Sequence, residues 1–458
     1  MTDDVSDPVR VLVPVGMLGA GFPPGTIERG IARGADAIAI DGGSTDSGPF
    51  YLGAAQAKSA RAAVRRDLRA VLGPAARAGI PVIVGSCGTS GTDAGVDWVA
   101  SVVAEIIAED GIRGRRVAKI YSEIRPAHLH ARLAAGDVVP LEPAAPLTPD
   151  VLDSCAHVVG LMGHEPIAEA LQADANIILA GRATDCALIA ALPLLRGKPF
   201  GPTWHASKIA ECGNLCTTGS VLGGVLVHIG DDGFVVEPTA EDDRATPYTV
   251  SAHMLYENVD PYRLREPAGT LVTTNATYTA LDDRRVLVRG SEFEFAEDYT
   301  VKLEGSAAAG AQTVSIVGIR EPAVLARLDD WLKSLMTYLN DRIPDTLGVE
   351  PGHYDIDVRP YGANAVLGDA DPDPGPPREV GVVFCATAAD QDTATTIAKF
   401  ANPFLLHHAL PGTDSVPSWS FMSSPAEMER GPLYSFVLQH VVRVDSPREL
   451  VRTEIKDH

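Results

Sequence analysis

The chain has 458 residues, and its 38 basic and 60 acidic side chains give a formal net charge of −22. At about 150 residues per domain, this length predicts two or three domains with a sizeable buried core. A hydrophobic share of 45% and a charged share of 21% are typical of a globular protein rather than a disordered or fibrous one. The acidic excess argues against nucleic acids and anionic membrane surfaces as partners.

The amino terminus and the cysteines both indicate a cytoplasmic protein. The first ten residues, MTDDVSDPVR, are polar and acidic, unlike a signal or transit peptide. Apolar runs such as LIAALPLL are far shorter than the about 20 residues that a membrane-spanning helix needs. The six cysteines are scattered and do not suggest a disulfide framework, so we expect reduced thiols.

In the first half of the chain, short apolar runs alternate with helical patterns. Such runs are typical of strands covered on both faces, and their alternation with helices predicts a doubly wound, largely parallel sheet. The predicted strands begin at Val9, Ala35, Ile80, Arg115, His157 and Ala175. The predicted helices are Gly25–Gly34, Ala54–Ala78, Val96–Glu109, Ala127–Ala135 and Glu165–Ala173. We assign this α/β domain to residues 1–220.

The second half has a different pattern. Short strands and turns extend from Val221 to Ile319, and a helix is predicted from Ala323 to Leu339. Two further strands, a helix from Asp390 to His407 and a final strand, YSFVLQHVVRV, complete the chain. This antiparallel-looking alternation predicts an α+β domain of ferredoxin-like type over residues 221–458.

The loops that follow the predicted strands of the first half are the best indication of a site. In a doubly wound sheet, ligands bind beyond the carboxyl ends of the strands, where these loops meet. Four of the six loops combine glycine with polar or charged side chains, which predicts one convergent pocket. The loops are Gly16–Phe22, Asp41–Gly53, Gly85–Gly95, Ser122–Ile124, Gly163–Pro166 and Gly181–Asp185.

The loop DGGSTDSGP concentrates hydroxyls and carboxylates in a tight glycine turn. As a substrate or ion clamp, it would use Asp41 or Asp46 as a ligand or general base, with Ser44 and Thr45 beside them. Ser, Thr and Asp also favour turns and helix caps, so a purely structural role is an equal alternative.

The loop GSCGTSGTDAG opens a predicted helix, where exposed amides and the helix dipole suit a phosphate or carboxylate. Its candidate substrate contacts are Ser86, Cys87, Thr89 and Ser90. No lysine follows the last glycine as in a phosphate-binding loop, and GMLGAGF does not fit the dinucleotide fingerprint. Cys87 is either a nucleophile or a small buried thiol.

The loops GHEP and GRATD each place charged groups after a predicted strand. His164 and Glu165 are candidate acid–base residues. Arg182 is a candidate for holding a carboxylate with two hydrogen bonds, with Asp185 beside it. The alternative is an arginine–aspartate ion pair that only fixes two loops.

Metal signals are weak, and we predict no metal site. Cys212 and Cys216 form a C-x3-C pair without a second pair at zinc spacing. An oxygen-liganded Mg²⁺ or Ca²⁺ at Asp41 and Asp46 stays open, and the cofactor is unknown.

Four segments resemble the acyclic terpene utilisation (AtuA) family over most of the chain. They are Ile40–Gly53, Ala175–Ala191, Ala210–Asn214 and Arg359–Asn364. The motifs GSTDSGPxYLG and AGRxTDxA are the more specific ones. The resemblance marks Ser44, Thr45, Asp46, Tyr51, Arg182 and Asp185.

The resemblance implies catabolism of branched or unsaturated carboxylic acids and their CoA esters. Family members also carry, or are encoded beside, a small ferredoxin-like partner. Because this chain ends at EIKDH without such a module, we expect a separate small subunit.

Three functions follow as hypotheses. The first is a hydro-lyase acting on a small carboxylate or its thioester, in which Arg182 binds the carboxylate and Asp46 or His164 moves the proton. Amides of Gly85–Gly95 would stabilise an enolate oxygen. The second is a hydrolase or acyl transferase, and the third is a non-catalytic ligand-binding subunit of a two-component complex.

The second hypothesis needs a nucleophile, for which Cys87 and Ser86 are the candidates.

An oligomer is also expected, because the segments Leu405–Leu410 and Pro417–Phe421 are apolar for loops. Trp419 is the predicted interface anchor, with burial in a core as the alternative.

Overall fold

The computed structural model describes residues 5–219, 223–370, 375, 377–414, 416–417 and 419–458, without the side chains of residues 369 and 419. Within this part of the chain the fold is mixed α/β, as predicted. The strands are β1 Val9–Val13, β2 Ala37–Asp41, β3 Val82–Gly85, β4 Arg116–Tyr121, β5 Val138–Pro140, β6 Cys155–Gly160, β7 Ile177–Ala180, β8 Val225–Ile229, β9 Phe234–Pro238, β10 Arg263–Glu266, β11 Gly269–Val272, β12 Thr277–Ala280, β13 Val286–Arg289, β14 Glu292–Phe295, β15 Tyr299–Ile319, β16 Tyr354–Tyr361, β17 Val380–Ala388, β18 Trp419–Phe421, β19 Glu427–Val444 and β20 Arg452–Asp457.

The helices alternate with the strands in the first half and are sparser in the second. They are α1 Thr26–Ala32, α2 Pro49–Gly53, α3 Arg61–Ala78, α4 Asp93–Glu109, α5 Pro126–Ala135, α6 Pro149–Ser154, α7 Glu165–Gln172, α8 Asp185–Leu195, α9 Phe200–Ala210, α10 Pro247–His253, α11 Pro322–Leu325, α12 Leu328–Leu347 and α13 Gln391–His407. Among the described residues, no helix is long and apolar enough to cross a bilayer.

The chain divides into two compact units. The first contains the described residues up to Ala307 together with Phe436–His458, and the second contains Ala308–Ser435. The predicted boundary between residues 220 and 221 lies outside the described residues and stays a prediction.

The first unit is built on a ten-stranded sheet in the order β12-β13-β9-β8-β1-β2-β3-β7-β4-β20. Its five central strands, β1, β2, β3, β7 and β4, run parallel. The flanking strands β8 and β20 run antiparallel to their neighbours. The carboxyl ends of the central strands therefore meet at one edge, where the loops that follow them lie.

Alternate side chains of the central strands point to opposite faces of this sheet. Leu12, Ile38 and Val84 pack with helices α1, α3 and α4. Val11 and Ile83 pack with helices α7, α8 and α9 on the other face. Both faces are buried, which explains why these strands are apolar at nearly every position.

Two smaller groups of strands complete the first unit. Strands β10, β11 and β14 form an antiparallel three-stranded sheet. The first part of β15, Leu303–Ala307, pairs antiparallel with β6. This pairing places Glu304 in the first unit.

The second unit contains strands of a seven-stranded sheet and has a hydrophobic core of its own. Strands β16 and β17 and the Ala311–Ile319 part of β15 are antiparallel, with β18 also pairing to β15. Helices α12 and α13 contribute Trp331, Leu335 and Ile397 to a core that also contains Phe384.

Two predictions about individual elements are wrong. The predicted helix Ala54–Ala78 begins only at Arg61, because Ala55 has a φ of 49° and the Lys58 amide donates to the Thr89 hydroxyl at 2.9 Å. The predicted strand at His157 forms β6, which pairs with β15 instead of joining the parallel strands.

The apolar segment Leu405–Leu410 does not form an exposed patch, because Leu405 and Leu410 are buried in the core of the second unit. In the segment Pro417–Phe421, the side chain of the predicted anchor Trp419 lies outside the described residues. The segment Leu405–Leu410 therefore gives no support for an interface, because its leucines are not exposed.

Candidate active site

Arg182 connects three of the predicted loops. It follows β7, and its guanidinium is buried. Its Nη1 donates to the Ser86 hydroxyl at 3.1 Å and its Nη2 to the Thr45 hydroxyl at 3.4 Å. Its Nε donates to the Glu304 carboxylate at 3.0 Å. The loops after β2, β3 and β7 thus meet at one fixed cation.

Close backbone approach explains the glycines in these loops. Gly91 has a φ of 69°, and a Cβ added there would lie 2.1 Å from the Arg182 backbone nitrogen. A Cβ added at Gly43 would lie 2.5 Å from the Thr89 Cα. Only glycine fits at such contacts, so these residues set the position of the arginine.

Two aspartates surround the guanidinium. Asp185 begins α8, and its Oδ1 lies 3.6 Å from Arg182 Nη1. Asp41, at the end of β2, is buried, and its Oδ1 has no hydrogen-bond partner among the described residues. Burial and the charge of Asp185 raise the pKa of Asp41 well above its usual value, and burial also raises the pKa of Asp185.

A cavity of about 370 Å³ opens beside this cluster. Its lining contains both cations and carboxyls, which suits a small polar ligand. Its lining consists of Leu161, Arg182, Thr184, Asp185, Cys186, Lys208, Glu211, Glu257, Asn258, Val259, Asp260, Arg263, Leu264, Arg265 and Glu266.

Lys208 and Glu211, at the end of α9, form a buried ion pair on one side of this cavity. The Cys186 thiol donates to the other oxygen of Glu211 at 3.1 Å. Burial raises the pKa of Glu211 to about 7, although the charge of Lys208 lowers it.

Glu266 ends β10 on another side of the cavity. Its Oε2 is buried and has no hydrogen-bond partner among the described residues. Burial, together with the charge of Glu211, raises its pKa to about 8, so this carboxyl is mostly protonated at neutral pH.

A second cavity, of about 490 Å³, shares part of this lining. The residues common to both cavities are Leu161, Thr184, Arg265 and Glu266. The second cavity is more apolar, with Leu141, Ala296 and Val441 in its wall. Glu266 therefore stands where a polar cavity and a more apolar one meet.

The predicted residues of the first loop divide between the cluster and the surface. Thr45 reaches Arg182, whereas Asp46 is exposed. The Ser44 hydroxyl accepts from the Asp46 amide at 3.1 Å, as in a helix cap. Tyr51 offers its carbonyl to the Ser90 hydroxyl at 3.2 Å, which ties the first loop to the second.

His164 and Glu165 lie away from the cavity lining. His164 packs edge-on against Phe200 and Trp204, and burial lowers its pKa. The Glu165 carboxylate lies 3.5 Å from His164 Nδ1 and accepts a hydrogen bond from the Tyr299 hydroxyl at 2.7 Å.

Several backbone amides of the loop Gly85–Gly95 already donate hydrogen bonds to other groups of the protein. The amides of Ser86 and Cys87 donate to the carbonyls of Gly181 and Ala180, and the Asp93 amide donates to Glu123. These amides are not free for an oxyanion. The Cys87 thiol is 0% exposed, and burial and Asp41 raise its pKa, which disfavours a reactive thiolate.

Several cavity residues were not predicted from the sequence. Lys208 and Glu211 lie at the end of α9, Cys186 lies in α8, and Glu266 ends β10. For Glu211 a signal existed, because it belongs to the AECGN segment of the family resemblance.

Among the described residues, one group of side chains has the composition of a metal site. Ligand atoms of Glu211, Cys212 and His253 all lie within 4.8 Å of one another. Over the described part of the chain, Asp41 and Asp46 do not form such a group with a third ligand.

A comparison with curated proteins finds no match, and a comparison with solved structures finds none either. The family model described as acyclic terpene utilisation family protein AtuA matches residues 53–436. The match includes Arg182, Glu211 and Glu266, and it begins at the last glycine of GSTDSGPFYLG. The chain belongs to the acyclic terpene utilisation (AtuA) family.

Proposed function

We propose that this protein is a catabolic enzyme that adds water to, or removes it from, a small carboxylic acid or its CoA thioester. One observation carries the proposal. The cavity of about 370 Å³ has in its lining both a fixed guanidinium, Arg182, and a buried carboxyl with an unpaired oxygen, Glu266. The first suits a carboxylate or thioester oxygen, and the second suits proton transfer.

Arg182 is held in place before any substrate arrives. Glu304 and Ser86 fix two sides of its guanidinium, so little side-chain entropy is lost on binding. Its place in the cavity lining supports a role in orienting an anionic or carbonyl oxygen.

Glu266 has the protonation state that a general acid needs. In a dehydration, its proton passes to the departing hydroxyl, which leaves as water; in hydration, the carboxylate takes that proton from water. We assign Asp185 as the group that removes the carbon-bound proton in dehydration and returns it in hydration. Asp185 lines the same cavity beside Arg182. The second, more apolar cavity gives space for the hydrocarbon part of a substrate.

The catalytic roles predicted for Asp46, His164, Glu165 and Asp41 stay predictions, and none of the four lines this cavity. Asp41 interacts electrostatically with Arg182, which favours its ionised form, and with Asp185, which disfavours it. The alternative of a hydrolase or acyl transferase has no specific observation in its favour.

Further proposals follow from the sequence and the resemblance. They are a doubly wound first-half sheet, a ferredoxin-like second half, a cytoplasmic location, an oligomer, and a separate small ferredoxin-like subunit. A non-catalytic binding subunit is the outcome to expect if the chain has no turnover with or without such a partner.

The test is a panel of short unsaturated acids, hydroxy acids and their CoA esters, incubated with the full chain in ¹⁸O-labelled water. We expect one substrate class either to gain one water, with the label at a carbon-bound hydroxyl, or to lose one water and give an unsaturated product. Release of free CoA with label in the carboxylate would instead show a hydrolase.

A further inference from the structure

Three different ligand types converge beside the Lys208–Glu211 ion pair. Glu211 and Cys212 follow α9 directly, and His253 is the last residue of α10. Helix α10 packs against the short 3₁₀ turn Gly213–Cys216, which continues from Cys212. This packing brings a carboxylate oxygen, a thiol sulfur and an imidazole nitrogen within 4.8 Å of one another.

The buried histidine of this group has a ring nitrogen without a hydrogen-bond partner among the described residues. His253 is only 5% exposed, and its Nε2 is buried with no hydrogen-bond partner among the described residues. Buried polar atoms are nearly always paired, so an orphaned ring nitrogen indicates a missing ligand. A metal ion at this point would satisfy the nitrogen.

Charges of both signs surround this group of ligands. The carboxylates of Asp185 and Glu257 act on Cys212 electrostatically, and Lys208 is the positive charge that opposes them. An ion also has to compete with Lys208 and with the Cys186 thiol for the oxygens of Glu211. The thiol is a weak donor and is the easier of the two to displace.

We propose that Glu211, Cys212 and His253 bind one divalent transition-metal ion of the zinc type. A sulfur, nitrogen and oxygen donor set suits Zn²⁺ or Co²⁺ and does not suit Mg²⁺ or Ca²⁺. Tetrahedral zinc separates such ligands by about 3.3–3.6 Å, so the three side chains need to close by only about 1 Å. Three protein ligands leave one position open, as in catalytic zinc sites.

Glu211 also lines the cavity of about 370 Å³, so the ion would lie at its edge. Such an ion site does not depend on the proposed hydration reaction.

The test measures metal content of the tag-free, full-length chain. The protein is treated with a chelator, dialysed, incubated with Zn²⁺, passed over a desalting column and analysed for zinc. We expect about one zinc per chain in the unmodified protein, and almost none in His253→Ala or Cys212→Ser.

Two matched variants control for loss of any buried histidine or cysteine. His164→Gln removes another buried histidine, and Cys216→Ser removes the next cysteine along the chain. Both should keep their zinc. Retention of zinc by His253→Ala and Cys212→Ser, or equal loss in the controls, would overturn the proposal.

A second measurement uses the unmodified chain and tests metal binding even if the ligand variants do not fold. Co²⁺ added to the unmodified chain should give the near-ultraviolet charge-transfer band of a cobalt thiolate, and Zn²⁺ should protect Cys212 from alkylation. Absence of the band and of protection would overturn the proposal.

Discussion

Burial raises the pKa of Glu266 and so prepares this carboxyl to act as an acid. Its pKa of about 8 arises first from burial and then from the charge of Glu211, against a usual value of 4.5. The folded state therefore binds this proton more tightly than the unfolded state does. The stabilisation from this group is complete below about pH 4.5 and is lost as the pH rises through about 8.

The variant Glu266→Gln should remove this pH dependence, because the amide stays neutral. At pH 5 its free energy of unfolding should be close to that of the unmodified protein. At pH 9 it should be higher by on the order of 2 kcal/mol, since the ionised buried carboxylate is gone. Urea unfolding at both pH values measures the difference.

Glu292 provides the matched control, because it is an exposed glutamate in the same three-stranded sheet. Glu292→Gln should follow the unmodified protein at both pH values. An equal loss of stability at pH 5 and pH 9 in Glu266→Gln would contradict the raised pKa.

Arg182 and Asp185 could be predicted from the sequence, because both follow an apolar strand and a glycine within a few residues, and this pattern is visible locally. Sequence reasoning missed Glu211 because α8 and α9 are buried on nearly all sides and lack an amphipathic period. It missed Glu266 because only the tertiary fold places β10 beside the loop after β7. The site residues on loops were thus more accessible to prediction than those on buried helices.

At the level of elements, the loop after β3 is held in place by backbone contact with the loop after β7. Gly91 has a positive φ and faces the Arg182 backbone at a distance that excludes any side chain. This contact fixes the position of the loop after β3 relative to the loop after β7.

Gly91→Ala should destabilise the fold by about 2–4 kcal/mol, because it adds a backbone clash to the strain of a positive φ. Gly79→Ala is the control, since Gly79 has the same φ of 69° and nothing within 4 Å of an added Cβ. It should lose only about 1 kcal/mol. Equal losses in urea unfolding would show that the contact with Arg182 has no energetic role.

The parallel strands were predictable because strands buried on both faces have continuous apolar sequences. The start of α3 was not, because Ala54–Ala60 has helix-forming composition but makes tertiary hydrogen bonds through Lys58 and Ser59 instead. Strand β6 has the same apolar character as the parallel strands, so composition alone could not assign its partner.

At the level of the whole molecule, distant segments combine in one unit. Residues 308–435 form the second unit, and the chain then returns to the first, where β20 pairs with β4 through Arg452 and Tyr121. A pairing across more than 300 residues leaves no local sequence signal. The family match runs through both units, which is consistent with one functional chain.

Several large side chains between residues 248 and 262 are exposed, and we propose that they take part in self-association. They are Tyr248, Leu255, Tyr256, Val259 and Tyr262. We expect an oligomer in light scattering at micromolar concentration, weakened by Val259→Asp. Val366→Asp, at an exposed valine of the second unit, should leave the mass unchanged. A monomer at every concentration would contradict this expectation.

The most direct test of the proposed site is the turnover of Glu266→Gln on the substrate that the panel identifies. We predict a loss of kcat of about 10²–10⁴-fold with the fold intact, the usual contribution of a general acid, while Glu292→Gln stays near the unmodified rate. Turnover of Glu266→Gln close to that of the unmodified protein would contradict the central claim that this carboxyl moves the proton.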